Sequence, residues 1–257
     1  MRMMRMYMAQ AVDAPRRDRG ATLTESQIRN EIVLACRGLA ASGMGSLIGG
    51  HVSVRVPGED AYYCNAFDRA LIEITPEDVV KVAFDGTVLT PDRYVSAGLT
   101  FHSGIYGLRP DVNAIVHTHG YWITAQAALA RPPLMWHNLA TYFKDDCAMC
   151  EDDSFEAIAP ALGTKSTILI PWHGAITVGD TISRAVGLHH TLEFVARLDV
   201  QLSGTGASPM PDEMVAGIRD LVTGADYLEE TWKLVCRQGE RALAAEGRSL
   251  PELAAVR

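Results

Sequence analysis

The chain has 257 residues, 48% of them hydrophobic and 21% charged, which is ordinary globular material with enough apolar side chains for a sizeable core. A formal net charge of −8 argues against a general nucleic-acid surface, and no run of eighteen apolar residues is present to span a membrane. Five cysteines at irregular spacing, Cys36, Cys64, Cys147, Cys150 and Cys236, do not form a disulfide framework and point to a reduced, cytoplasmic setting.

The first twenty residues are basic and Met-rich, without a continuous apolar stretch or a clear cleavage site, so residues 1–20 read as a disordered or arm-like tail and not a signal peptide. Residues 21–257 read as a single domain. A helix is predicted over 24–43, opened by the capping box of Thr24 and Gln27 and ended by Gly43. Short strand-like segments follow: HVSVRV, AYYCNA, LIEI and VVKVAF, the last turning at Asp85-Gly86 into a hairpin partner, TVLT. TFHSGIYGLRP reads as a helix stopped by Pro110, VNAIVHTH as a strand, GYWITAQAALA as a helix and PPLMWHN as a proline-containing strand. Cys147 and Cys150 have CxxC spacing, but no second pair accompanies them, and the reading gives them no site. STILIPW is a further apolar strand. The remainder is helical, over 181–204 and again from Pro211 to Glu246. Strands clustered early with helices on both sides predict a three-layer α/β/α sandwich round a mostly antiparallel sheet.

The informative stretch is NAIVHTHGYW. Ala114, Ile115 and Val116 read as buried strand, and side chains alternate along a strand, so His117 and His119 share one side at its end. Two adjacent imidazoles are costly to bury unless something uses their lone pairs. A divalent metal does so; a hydrogen-bonded core pair is the alternative. The later strand ILIPWHG ends in the same way, with His173 before a glycine as His119 precedes Gly120. Three converging histidines would leave open positions on a metal, the pattern of a catalytic site.

FHSGIYGLRPDVNAIVHTH, followed about fifty residues later by LIPWHGAITVGDTISRAVGLHHTLE and preceded by GGHVSVR, resembles the class II aldolase/adducin superfamily over roughly residues 24–235. The resemblance implies an α/β/α fold and commonly a homotetramer with active sites between subunits. It implies that His117, His119 and His173 bind a divalent metal, Fe2+, Zn2+ or Mn2+. It also gives His190 and Glu193 a supporting role.

Two departures shape the functional expectation. Sugar-phosphate aldolases of this superfamily carry a glutamate four residues before the helix histidine, and here that position is Gly98, before His102. Their phosphate cup is also altered, with His51, Phe67-Asp68 and Ala97 at its positions. A phosphorylated sugar is therefore not the expected substrate; an apolar or aromatic acid fits better. His137 and His51 are the candidate catalytic residues. Phe67, Trp122 and Trp136 are candidate substrate contacts, and Arg55 either a substrate clamp or a scaffold residue. The expected activity is a metal-dependent carbon–carbon lyase, aldolase-like or decarboxylating, on a non-phosphorylated oxo or aromatic carboxylic acid. The alternatives are a non-haem Fe(II) oxygenase, resembling the oxidative decarboxylases of prenylated hydroxyphenylpyruvate, and a non-catalytic adducin-like scaffold.

Overall fold

The structure, a computed structural model, describes residues 23–45, 47–152 and 154–250; the arm expected over 1–20 lies outside the described residues. Its centre is a seven-stranded sheet: β1 (His51–Arg55), β2 (Ala61–Asn65), β3 (Val79–Ala83), β4 (Ala114–Thr118), β5 (Cys147–Met149), β6 (Thr167–Ile170) and β7 (Gly174–Gly179), in the order β3-β2-β1-β4-β7-β6-β5. Every pairing is antiparallel except β5 with β6. Among the described residues seven α-helices flank it: α1 (Glu25–Leu39), α2 (Leu99–Leu108), α3 (Tyr121–Ala128), α4 (Phe155–Leu162), α5 (Ile182–Leu202), α6 (Asp212–Gly224) and α7 (Tyr227–Ala245). The expected sandwich with a mostly antiparallel sheet is what the chain forms.

Alternation along the strands sorts residues between two cores. Val52, Val54, Ala114 and Val116 pack with α1, α7 and the start of α5. Tyr62, Cys64, Ile115, Ile176 and Val178 pack with α2 and α4 on the other side. A third cluster joins α3, α5 and α6 through Ile123, Leu188, Leu192 and Val215. Each fully buried large aliphatic contributes roughly 1.5–3 kcal/mol.

Local chemistry explains where the structure departs from the predicted elements. The helix over 24–43 forms with its capping box, Gln27 N–H to Thr24 Oγ1 at 3.3 Å and Thr24 N–H to Gln27 Oε1 at 2.8 Å, and finishes as a π turn over Ala40–Met44. LIEI is a 3₁₀ turn, not a strand. Leu71 and Ile74 are buried while Ile72 and Glu73 face out, a spacing of three, and Glu73 accepts from the Ala70 N–H. TVLT turns back after Asp85-Gly86 as predicted but contributes only one bridge, Val82 to Val88. PPLMWHN forms no strand. Its prolines lack ladder donors, and side chains hold it instead: Arg131 and Trp136 bond to Asp199 of α5. The helix predicted from Pro211 to Glu246 is two helices, broken at Asp226, whose φ is 49°. Two elements, β5 and α4, were not anticipated. Both are short, and Pro160 inside α4 masks its helical pattern. Among the described residues no helix is long and apolar enough to cross a membrane.

Candidate metal centre

The sheet register gathers four histidines and Phe67 at one edge. His51 opposes His117 across β1 and β4, and Thr118 opposes Ala175 across β4 and β7, which puts His119 and His173 side by side just past the ends of their strands. Phe67 lies two residues past the end of β2 at this same edge and is 44% exposed. His51, His117 and Ile115 share the α2 face. Thr118 faces α5.

His117, His119 and His173 each offer a ring nitrogen within 4.8 Å of the others. His117 Nδ1 lies 2.9 Å from the Ala175 carbonyl, so it carries the proton and leaves Nε2 with a lone pair. That Nε2 is 2.9 Å from His119 Nε2. Burial, reinforced by the charges of His51, His119 and His173, holds His117 well below the ordinary imidazole range. Burial and His173 lower His119 in the same sense. Neutral imidazoles with lone pairs aimed at one point are the form that binds a divalent cation, so the donor set fits such an ion.

Two glycines make this approach possible. A side chain at Gly174 would place its Cβ 2.6 Å from the Thr118 carbonyl oxygen. At Gly120 it would lie 2.8 Å from Glu193 Oε2. The β6–β7 turn carries Trp172 at φ 57°, costing about 1 kcal/mol, and leaves its indole 81% exposed. A cleft of 440 Å³, lined by Cys150, Glu151, Asp152, Pro171, Trp172 and His173, opens beside the third histidine.

The position before α2 is instructive. A Cβ on Gly98 would lie 3.2 Å from His51 Cε1 and 3.4 Å from Phe101 Cε1. The imidazole of His51 therefore occupies the space a side chain at 98 would enter. Burial, then the charges of His119 and His173, push His51 down to about 3. Its Nδ1, like Nε2 of His102, is buried without a hydrogen-bond partner among the described residues. His102 is anchored through Nδ1 to Ser53 Oγ at 2.7 Å, and Ser53 to Tyr106 OH at 2.8 Å.

The other candidates spread outward. His137 sits against Phe194 of α5, ring centroids 5.1 Å apart, and its Nδ1 accepts from the Leu139 N–H. Trp122 is half-buried beneath the Arg197 guanidinium, 5.7 Å from the ring centroid. Trp136 donates Nε1–H to Asp199 at 2.6 Å, leaving only its ring face for other contacts. Arg55 does not join the site. It stands at the opposite end of β1, about 13 Å along the strand, and its guanidinium is taken up by the carbonyls of Val112, Tyr106 and Arg109. It braces the scaffold. Cys147 is buried, its thiol pushed up to about 12, as suits a packing residue. Sequence reasoning missed Thr118 and His189, which meet behind the histidine turn; the HTH motif carried the first in plain view, between two more conspicuous residues.

The family described as Class II Aldolase and Adducin N-terminal domain matches residues 30–200. The chain belongs to this family. It is 30% identical over 168 residues to the 4-hydroxy-3-prenylphenylpyruvate oxygenase/4-hydroxy-3-prenylbenzoate synthase of Streptomyces roseochromogenus, covering 60% of each chain. It is 28% identical over 194 residues to the 5-deoxy-D-ribulose 1-phosphate aldolase of Bacillus thuringiensis, covering 72% of this chain and 91% of that one. A solved L-fuculose 1-phosphate aldolase from Glaciozyma antarctica shares the fold with a TM-score of 0.78 at 28% identity, over 88% of this chain and 93% of that one. Class II aldolase relatives thus include both sugar-phosphate aldolases and an aryl-acid oxygenase.

Proposed function

We propose that this member of the class II aldolase family is a metal-dependent carbon–carbon lyase, aldolase-like or decarboxylating, acting on a non-phosphorylated oxo or aromatic carboxylic acid. The observation that carries the reading is the exchange at Gly98: three converging imidazoles are kept, while the ring of His51 crowds the Cβ position of any side chain at 98. A divalent ion held by His117, His119 and His173 would polarise a carbonyl or carboxylate oxygen. Aldol chemistry needs a base to move a proton at or beside the reacting carbon. Decarboxylation breaks its carbon–carbon bond without a prior proton abstraction and then needs only one proton at carbon. A buried, neutral His51 with one donor and one acceptor nitrogen suits that lighter duty better than a sugar cleavage.

Phe67, exposed at the histidine edge, presents an apolar face where a phosphate cup would be polar. Arg69 and Arg93 both reach Asp78, at 3.8 and 3.1 Å. His137 and the rings of Trp122 and Trp136 supply further contacts for an aryl acid. Tyr121 and Trp172, 72% and 81% exposed beside the histidines, support a homotetramer in which a neighbouring subunit closes the site.

A second reading, an Fe(II) oxygenase, is favoured by the relative named as a prenylphenylpyruvate oxygenase and by a three-histidine cluster with no carboxylate in it among the described residues. One experiment separates the readings. Chain reconstituted anaerobically with Fe2+, Zn2+ or Mn2+ is given arylpyruvates and sugar phosphates, with carbon dioxide release and dioxygen uptake followed together. The lyase reading expects turnover of an oxo acid without dioxygen uptake. Uptake matched to product establishes the oxygenase instead. Turnover of a sugar phosphate at about 1–10³ per second overturns both.

A further inference from the structure

Behind the histidine edge lies a buried chain of polar groups that the proposed reaction does not use. The hydroxyl of Thr177 on β7 donates to the Ala185 carbonyl at 2.8 Å. Its one proton is thereby committed, so at 3.1 Å from His189 Nδ1 it accepts, and the imidazole proton sits on Nδ1. His189 is fully buried, and burial holds it neutral, which leaves a lone pair on Nε2. The Thr118 hydroxyl, 2.8 Å from that Nε2, must then donate to it. Thr118 Oγ1 in turn accepts from the Gly120 N–H at 3.3 Å. Every proton in the chain has one direction.

One helical turn further along α5, Glu193 reaches the same segment from its other end. Its carboxylate accepts from the Trp122 N–H at 3.1 Å and the Ile123 N–H at 2.9 Å, the first free donors of α3. Residues four apart lie on one face of a helix. His189 and Glu193 therefore hold the segment from Thr118 to Ile123 at its two ends, with His119 between them and His117 immediately before it.

We infer that His189 and Glu193 are positioning residues that, through Thr118 and the N-terminus of α3, fix the angle at which His117 and His119 present their nitrogens. The inference rests on the metal reading of those two histidines. It explains why Thr118 points away from the site yet carries a hydroxyl, and why Gly120 leaves room for Glu193 Oε2.

The test is metal affinity and geometry, read without turnover. Zn2+ affinity is measured by competition with a chelator, and the visible absorption of the Co2+-loaded chain reports ligand geometry. Thr118→Val, which keeps the shape and removes the hydroxyl, is expected to weaken Zn2+ binding about 10- to 100-fold and to shift the Co2+ bands. Thr118→Ser, which keeps the hydroxyl, is expected to stay within a few-fold of the parent. Glu193→Gln should fall between them, since a neutral amide still accepts one of the two N–H groups. A parent chain that binds Zn2+ with Thr118→Val binding equally, its Co2+ spectrum unchanged, refutes the clamp and leaves the metal site standing. A parent chain that binds neither ion refutes both.

Discussion

The two ends of the central sheet are built on opposite rules. At the end where β1 finishes and β4 begins, the long polar side chains are tied down by neighbouring groups. Arg55 donates to three carbonyls and stacks over Phe84 and Tyr106. Arg109 holds Asp111 and the carbonyls of Gly163 and Lys165. Asn113 ties to the Asp180 carbonyl. At the other end, His51 Nδ1 and His102 Nε2 are buried without partners among the described residues, and the imidazole nitrogens of His117 and His119 face each other. Leaving a buried polar atom unpaired costs about 1–3 kcal/mol, so the two imidazole nitrogens beside the three-histidine cluster carry a stability cost that the arginine-braced end does not show at Arg55 or Arg109.

The sharpest way to break the comparison is to remove one residue from each end. His173→Ala should abolish turnover, on the order of 10³-fold or more for loss of a metal-centred charge stabiliser, with an unfolding midpoint close to the parent's. Arg55→Ala should do the reverse: a loss of about 2–4 kcal/mol from three stranded carbonyls, with metal content retained. Urea unfolding and activity on both variants check this, and equal effects on the two would erase the distinction between the ends.

A smaller effect tests the exchange at position 98. Gly98→Glu must push His51 aside and is expected to cost about 1–3 kcal/mol of stability through overpacking. Combining it with His51→Ala should recover much of that loss, a non-additivity that a double-mutant cycle measures. Strict additivity would mean the two side chains do not compete for one space.

The smallest effect comes from acid. His189 titrates at about 3 in the fold against an ordinary 6.5, so below 6.5 the unfolded chain binds the extra proton. Its contribution is complete above about 6.5 and is lost as pH falls toward 3, at about 1.4 kcal/mol per unit. His189→Gln should flatten the fall in stability between pH 6.5 and 5 by about 2 kcal/mol relative to the parent, measured by urea unfolding at each pH.

Much of this was legible in the sequence where periodicity was long or chemistry concentrated. The helix at 24–43, the strand into HTH and the HG element announce themselves, because period-two and period-3.6 patterns survive without tertiary context. LIEI did not, since four apolar-rich residues fit a strand and a 3₁₀ turn equally until Leu71 and Ile74 are seen to share one face. PPLMWHN does not form its predicted strand because Arg131 and Trp136 hold it through side chains to a helix over sixty residues away. Glu193 could be suspected from its motif. His189 and Thr118 could not be paired from sequence, since only the packing of α5 on β4 brings them together.

The central claim is that His117, His119 and His173 together hold one divalent ion. Its most direct test is metal occupancy by plasma mass spectrometry of the parent and of His119→Ala, both purified anaerobically and confirmed folded by circular dichroism. About one ion per chain is expected in the parent and little in the variant. Equal occupancy in the two would contradict it.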